Sequence, residues 1–111
     1  MKLVWTRPAR DDRSAIREYI AADNPGAALE LDTLFSEQSK RLLDFPMLGR
    51  PGRVSGTREL LAHRNYLLIY DISGDQIRLL RVLHAARQWP PIGRVGWVER
   101  QRNPSELQRK E

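Results

Sequence analysis

Three short apolar runs between residues 58 and 84 dominate the hydrophobic pattern of the chain. Residues 58–62 (RELLA), 66–72 (YLLIYDI) and Gln76–His84 (QIRLLRVLH) are rich in Leu, Ile, Val and Tyr. His63-Arg64-Asn65 separates the first two, and Ser73-Gly74-Asp75 the last two. Such runs with such punctuation predict three strands joined by tight hairpins. Connections this short force antiparallel pairing, because a parallel crossover needs a dozen residues or more. Alternation puts Tyr66, Leu68 and Tyr70 on one face of the middle strand and Leu67 and Ile69 on the other. In the last strand it sets Ile77, Leu79, Arg81 and Leu83 against Arg78, Leu80, Val82 and His84. Apolar residues on both faces suit a central position, with helices on one side and a shallow surface on the other.

The first half of the chain has helical periodicity. Residues 2–6 (KLVWT) form a short β-prone run, with Leu3 and Trp5 on one face. Thr6 is a suitable cap and Pro8 a suitable first-turn residue for a helix over 8–22, with Ala9, Ile16, Tyr19 and Ile20 as its apolar positions. Asp11 and Asp12 are expected in the first turn, where the helix dipole favours negative charge. Arg10, Arg13 and Arg17 recur at helical spacing on another, solvated face. Asn24-Pro25 then caps and starts a second helix, Pro25–Asp44, whose stripe of Ala28, Leu31, Leu34, Phe35, Gln38 and Leu42 packs inward. The short break makes the two helices an antiparallel hairpin. Phe45-Pro46 ends the second helix, and residues 47–55 read as a loop with Gly49, Pro51 and Gly52 as turn residues and Arg50 and Arg53 as cations. The fold class is therefore α+β. An antiparallel sheet, made of the N-terminal strand and the C-terminal three-stranded meander, packs against an α-helical hairpin.

The length of 111 residues suits one domain, placed at 1–91. Residues 92–111 are mostly polar and charged, with only Val95, Trp97 and Val98 as anchors. They read as a tail that is disordered alone or docks on a partner. With no cysteine in the chain, disulfides, thiolate nucleophiles and Cys-based zinc sites are excluded. No apolar run approaches the roughly 18 residues of a transmembrane helix, and the N-terminus lacks the apolar stretch of a signal peptide. The expected location is the cytoplasm, with no membrane partner.

Charge adds a partner class. Residues 1–49 carry seven basic and eight acidic groups, while residues 50–87 carry seven basic and three acidic. The formal net charge is +5, and sixteen of the nineteen basic residues are arginine. Arginine's planar fork suits phosphate and carboxylate, so nucleic acid or an acidic protein fits as partner.

Several residue groups carry a resemblance. They begin with Ala9-Arg10-Asp11-Asp12, Ile16 with Tyr19-Ile20, and Asn24-Pro25 with Ala27-Ala28. Phe45-Pro46 with Leu48-Gly49, Gly56-Thr57-Arg58-Glu59-Leu60 and Asn65-Tyr66 with Ile69-Tyr70 come next. The run Arg81-Val82-Leu83-His84-Ala85-Ala86-Arg87-Gln88-Trp89-Pro90 closes the series. In this order and spacing the chain resembles the RelE/ParE superfamily of bacterial type II toxins over residues 3–90, closest to its ParE-like branch. The resemblance implies a toxin silenced by a cognate acidic antitoxin. The RelE branch cuts mRNA in the ribosomal A site, whereas the ParE branch is associated with poisoning DNA gyrase.

A metal-free ribonuclease must activate a 2′-hydroxyl, stabilise a charged phosphorane and protonate the leaving oxygen. RelE-type enzymes use lysines and arginines on the sheet and a tyrosine after it. Arg58 matches one lysine position, but the next is Leu60, the arginine after the central-strand tyrosine is Leu67, and Trp89 stands in place of a tyrosine. The leading reading is therefore a ParE-like toxin that acts by binding DNA gyrase or another intracellular target. The alternative is a RelE-like ribosome-dependent mRNA endonuclease, with Arg58, Arg81, His84 and Arg87 as catalytic candidates. His84 suits proton transfer, since an unperturbed imidazole titrates near pH 6.5; equally it can be a structural histidine bonded at a strand end. On the binding reading Arg58, Arg81, His84, Arg87 and Trp89 contact the target. Tyr19, Ala27, Leu31 and Phe35 line the antitoxin groove on the helix hairpin. Neither cofactor nor metal is expected, as two histidines about twenty residues apart are a weak ligand set.

Overall fold

The structure, a computed structural model, describes residues 1–86. Seven elements run β1 (Lys2–Trp5), α1 (Arg7–Ala21), α2 (Pro25–Asp44), β2 (Arg50–Pro51), β3 (Arg58–His63), β4 (Tyr66–Ser73) and β5 (Gln76–His84). The five strands form one sheet in the order β1-β5-β4-β3-β2. The meander β3-β4-β5 is antiparallel as its short hairpins require.

β1 departs from the expected antiparallel sheet. It pairs with β5 in parallel, Lys2 to Gln76 through Trp5 to Leu79, so the sheet is mixed. The chain between these two strands runs through α1, α2 and the strands β2–β4, far longer than a parallel arrangement needs. Thr6 fastens the junction. Its hydroxyl donates to the Leu79 carbonyl at 2.7 Å and accepts weakly from the Ala9 N–H at 3.4 Å, so one side chain caps α1 and ties it to β5. A second difference is β2, a two-residue strand inside the expected 47–55 loop that pairs with Arg58 and Glu59 of β3.

The core lies between the hairpin and one face of the sheet. Leu31, Phe35 and Leu42 of α2 and Ala9 of α1 meet Leu68, Tyr70, Ile77, Leu79 and Val82. Leu67, Ile69 and Leu83 cluster on the opposite face. Val82 thus joins Ile77 and Leu79, and Leu83 leaves them, contrary to strict alternation. The pairing explains this: Tyr70 stands opposite Leu79 while Ile69 stands opposite Arg81, leaving Leu80 as a bulge. One extra residue shifts the rest of the strand to the other face.

α1 begins at Arg7, so Asp11 and Asp12 lie beyond its first turn and do not act as dipole partners. Arg13 and Arg17 are not a free stripe either. Arg13 forks onto the Asp32 carboxylate at 2.7 and 3.2 Å and donates to the Asp32 carbonyl at 2.9 Å, and Arg17 reaches the same carboxylate at 3.3 Å. The Arg13 guanidinium also stacks 4.7 Å from the Trp5 ring centre. Strand, first helix and second helix are joined through one cation. The Arg13 hydrogen bonds hold the Asp32 carboxyl below its ordinary value, against the opposing effect of burial. A depressed carboxylate stabilises the fold above its unfolded value and loses that contribution as pH falls through the folded value. Asp32→Asn should therefore cost about 1–2 kcal/mol at neutral pH and almost nothing in strong acid. Chemical denaturation at a series of pH values checks this; a constant difference across the acid range would mean that the charge is not what stabilises the hairpin.

Candidate functional site

Arg58, Arg81 and His84, the described members of the expected target-contacting set, occupy three separate places. Arg81 sits after the bulge, where β1 has ended and the edge of β5 is bare. Asp12 of α1 fills that gap. Its carboxylate takes the Arg81 guanidinium at 2.7 and 3.0 Å and also accepts the Val82 N–H at 3.0 Å. One side chain thus replaces the missing strand and binds the arginine. Those hydrogen bonds raise the Arg81 guanidinium above its ordinary value, so it stays charged. Two carboxylates of the meander pair elsewhere: Asp71 with Arg78 and Glu59 with Arg50 and Arg53.

Arg58 lies towards the other end of the meander, opposite Tyr70. Its guanidinium donates to the carbonyls of Gly49 at 2.8 Å and Met47 at 3.3 Å. The buried Tyr70 hydroxyl donates to the Pro46 carbonyl at 2.7 Å and accepts the Gly49 N–H at 2.9 Å. Arg58 and Tyr70 together hold the loop after α2. Among the described residues, no carboxylate pairs with Arg58, so its charge rests on backbone dipoles.

His84 is at the far end, opposite Tyr66, which in turn stands opposite His63. Four residues along β4 separate this end from the Arg58 end, about 13 Å of extended chain. The Tyr66 ring makes edge contacts with Phe35 at 5.7 Å and His84 at 5.2 Å, and lies 6.1 Å from His63. Each histidine accepts a backbone N–H at Nδ1, from Asn65 for His63 and from Ala86 for His84, both at 3.1 Å. An imidazole that accepts at Nδ1 has its N–H at Nε2. His84 is exposed, and its ring serves the strand end, with no partner at Nε2 among the described residues. Arg87 and Trp89 lie outside the described residues.

The open face of the sheet differs from a phosphate-cutting surface. Leu67, Ile69 and Leu83 are buried there, with Ala85 packed against them. Beside them Glu59, its side chain 1% exposed, takes Arg50 at 3.2 Å, the Arg53 N–H at 3.2 Å and the Arg53 guanidinium at 3.6 Å. Two hydrogen bonds and one further ion pair satisfy this buried charge. A cleft of about 240 Å³ adjoins it, lined by Leu48, Arg50, Glu59, Leu60, Leu61 and Leu67. Leu48, at the end of the apolar run Phe45-Pro46-Met47-Leu48, is the residue by which that loop reaches the cleft.

On the helix hairpin, the four residues expected in a groove divide. Tyr19 is 81% exposed, and Ala27 is half-buried. Leu31 and Phe35 are 8% and 1% exposed and belong to the core, because the α2 stripe they share faces the sheet. Leu29, exposed on the same helix, has the accessibility those two lack.

Residues 3–89 match the family model described as the ParE toxin of the type II toxin–antitoxin system parDE. The chain belongs to the ParE toxin family. It is similar to Y4kP of Sinorhizobium fredii, 38% identical over 82% of this chain and 95% of that protein. Toxin RelE2 of Caulobacter vibrioides is 31% identical over 78% of this chain and 97% of its own length. Among solved structures, a chain of the chromosomal ParDE toxin–antitoxin system from P. aeruginosa superposes with a TM-score of 0.69 at 32% identity, covering 76% of this chain and 95% of that one. The α+β architecture of this ParE chain is that of its relative. It is the toxin component of a type II toxin–antitoxin module.

Proposed function

We propose that this ParE-family toxin arrests growth by binding an intracellular target, with DNA gyrase the first to test, and that a cognate acidic antitoxin neutralises it. The observation that carries the reading is the open face of the sheet. Cleavage of a phosphodiester needs cations free to meet a phosphorane. Here Leu67, Ile69 and Leu83 fill the middle of that face, Arg50 and Arg53 turn to Glu59, and Arg78 and Arg81 turn to Asp71 and Asp12. A surface built this way favours recognition over general acid–base work. The antitoxin reading is supported by the net charge of +5 and by the solved toxin–antitoxin relative. An amphipathic helix laid along the hairpin would meet Tyr19, Ala27 and Leu29.

His84 favours the rival reading, a ribosome-dependent mRNA endonuclease, because its exposed ring lies beside Tyr66 and has no partner at Nε2 among the described residues. Expression without antitoxin separates the two. The binding reading expects growth arrest with intact mRNA, induced DNA-damage signalling, and inhibition of gyrase supercoiling by the purified chain. Mapped mRNA 5′ ends clustered at ribosome-positioned codons, lost in His84→Ala, would establish the endonuclease instead.

A further inference from the structure

The segment after α2 has its backbone held from inside the domain and its apolar side chains left in water. Phe45 to Leu48 form a β-turn, in which the Phe45 carbonyl accepts the Leu48 N–H at 3.0 Å and Pro46 takes the second position, where its fixed φ fits. The neighbouring carbonyls are taken by side chains of β3 and β4. Pro46 accepts the Tyr70 hydroxyl at 2.7 Å, Met47 accepts the Arg58 guanidinium at 3.3 Å, and Gly49 accepts it at 2.8 Å. The Gly49 N–H donates in turn to Tyr70 Oη. Tyr70 is fully buried, so one of the two anchors comes out of the core. The turn's own side chains go the other way: Phe45 is 60% and Met47 66% exposed. Four of the nine large apolar side chains exposed among the described residues, Leu43, Phe45, Met47 and Leu48, fall within six positions, so they form a cluster rather than a scatter. A loop ordered during folding loses little freedom when a partner covers it, and more of the contact energy appears as affinity.

We infer that the Phe45–Leu48 turn is a pre-formed apolar tip by which the toxin holds its target, and that the surface it enters is protein, an apolar crevice with an acidic rim, rather than nucleic acid. This deepens the target-binding reading given above and rests on it. Charge selects the partner. The nearest arginines turn inward, Arg58 to the Gly49 and Met47 carbonyls and Arg50 and Arg53 to Glu59. Over residues 40–48 only Lys40 and Arg41 remain, exposed, against the exposed carboxylate of Asp44. That weak positive surround suits an acidic rim and falls short of the several outward cations that a phosphate backbone takes. Phe45 offers a large aromatic anchor and Met47 a side chain that adapts to an irregular pocket. Phe45 follows Ala27 by 18 residues of α2, about 27 Å along the helix axis. The tip and the hairpin surface offered to the antitoxin are therefore at opposite ends of α2 and can be tested as separate contacts.

The full chain and purified DNA gyrase holoenzyme provide the test, by calorimetric titration without DNA, with growth arrest read in cells that lack the antitoxin. Phe45→Ser and Met47→Asp should melt close to the wild type, since both side chains lie largely in water. Each should bind gyrase at least about tenfold more weakly and lose growth arrest in proportion. Affinity for the acidic protein of the adjacent reading frame should hold in both. Should one variant fail to fold, the other decides. Folded variants that bind gyrase and arrest growth as the wild type does overturn the tip. Binding that needs duplex DNA, or that goes to the duplex alone, overturns the protein partner. Variants that lose the acidic protein yet keep full growth arrest overturn the assignment and give the tip to the antitoxin. Wild-type chain that leaves gyrase untouched overturns the gyrase reading alone. Growth arrest then decides the tip: lost arrest with an unchanged melt supports it, and unchanged arrest overturns it.

Discussion

Asp12→Ala should be among the most damaging substitutions of a polar residue in the domain, costing about 2–4 kcal/mol. Three hydrogen bonds depend on this carboxylate: two from Arg81, and one from the Val82 N–H on a strand edge that β1 does not reach. Removing it leaves a part-buried cation and an orphaned backbone donor together. At roughly 4–8 °C per kcal/mol for a domain of this size, the melting temperature should fall by about 10–25 °C. Asp12→Asn retains an acceptor for Val82 while giving up the charge, so it should fall between. Arg81→Met removes the cation instead of stranding it and should be milder than Asp12→Ala. A thermal melt of the three variants decides the order. If Asp12→Ala melts within a degree or two of wild type, the clamp is not a structural element, and Arg81 becomes available again as a target-contacting cation. The same series calibrates any toxicity scan. Lost growth arrest in Arg81→Ala speaks for a target contact only where the melting temperature has held.

The second large effect is expected at Gly49. A Cβ there would lie 2.8 Å from the Tyr70 ring, 2.9 Å from its hydroxyl and 2.9 Å from the Glu59 carbonyl. None of these can yield easily. The tyrosine is fully buried and held by two hydrogen bonds, and the carbonyl belongs to a paired strand. Gly49→Ala must push the loop off Tyr70 and Arg58, at a cost of about 2–3 kcal/mol from overpacking and strained hydrogen bonds. Gly26→Ala is the internal control. It sits near the start of α2 with only the Asn24 side chain nearby at 3.5 Å, and alanine suits a helix better than glycine. Denaturant titration should show a large loss at position 49 and none, or a small gain, at position 26. Equal behaviour of the two would mean that the loop relaxes freely and that the Tyr70–Gly49 approach does not constrain it.

The helix hairpin and the meander were legible in the chain because their signals are local. Asn24, Pro25 and the 3.6-residue stripe mark α2 without reference to anything distant, and Asn24 does cap the Ala27 N–H. The two turns of the meander likewise determine antiparallel pairing by their brevity. The order of motifs was enough for the family. What periodicity reports, however, is a face, and it says nothing about which distant group will meet that face. Leu31 and Phe35 were read correctly as one inward stripe, yet whether a stripe faces a core or a partner's groove depends on what packs across from it. Here that is Leu68 and Tyr70 on the sheet.

Tertiary structure alone decided the rest. The direction of β1 follows from where the hairpin delivers the chain, and four residues of strand carry no mark of it. The bulge at Leu80 reverses the faces of the last strand's end, and its cause lies in the pairing of two strands rather than in either one. Arg81 has plausible acidic partners nearby in sequence, but its real partner is 69 residues away, brought in because α1 crosses the strand edge that β1 leaves open. Local sequence determines what a residue can do physically. The long-range contacts that pair Arg81 with Asp12 and Arg13 with Asp32 exist only once the segments have packed.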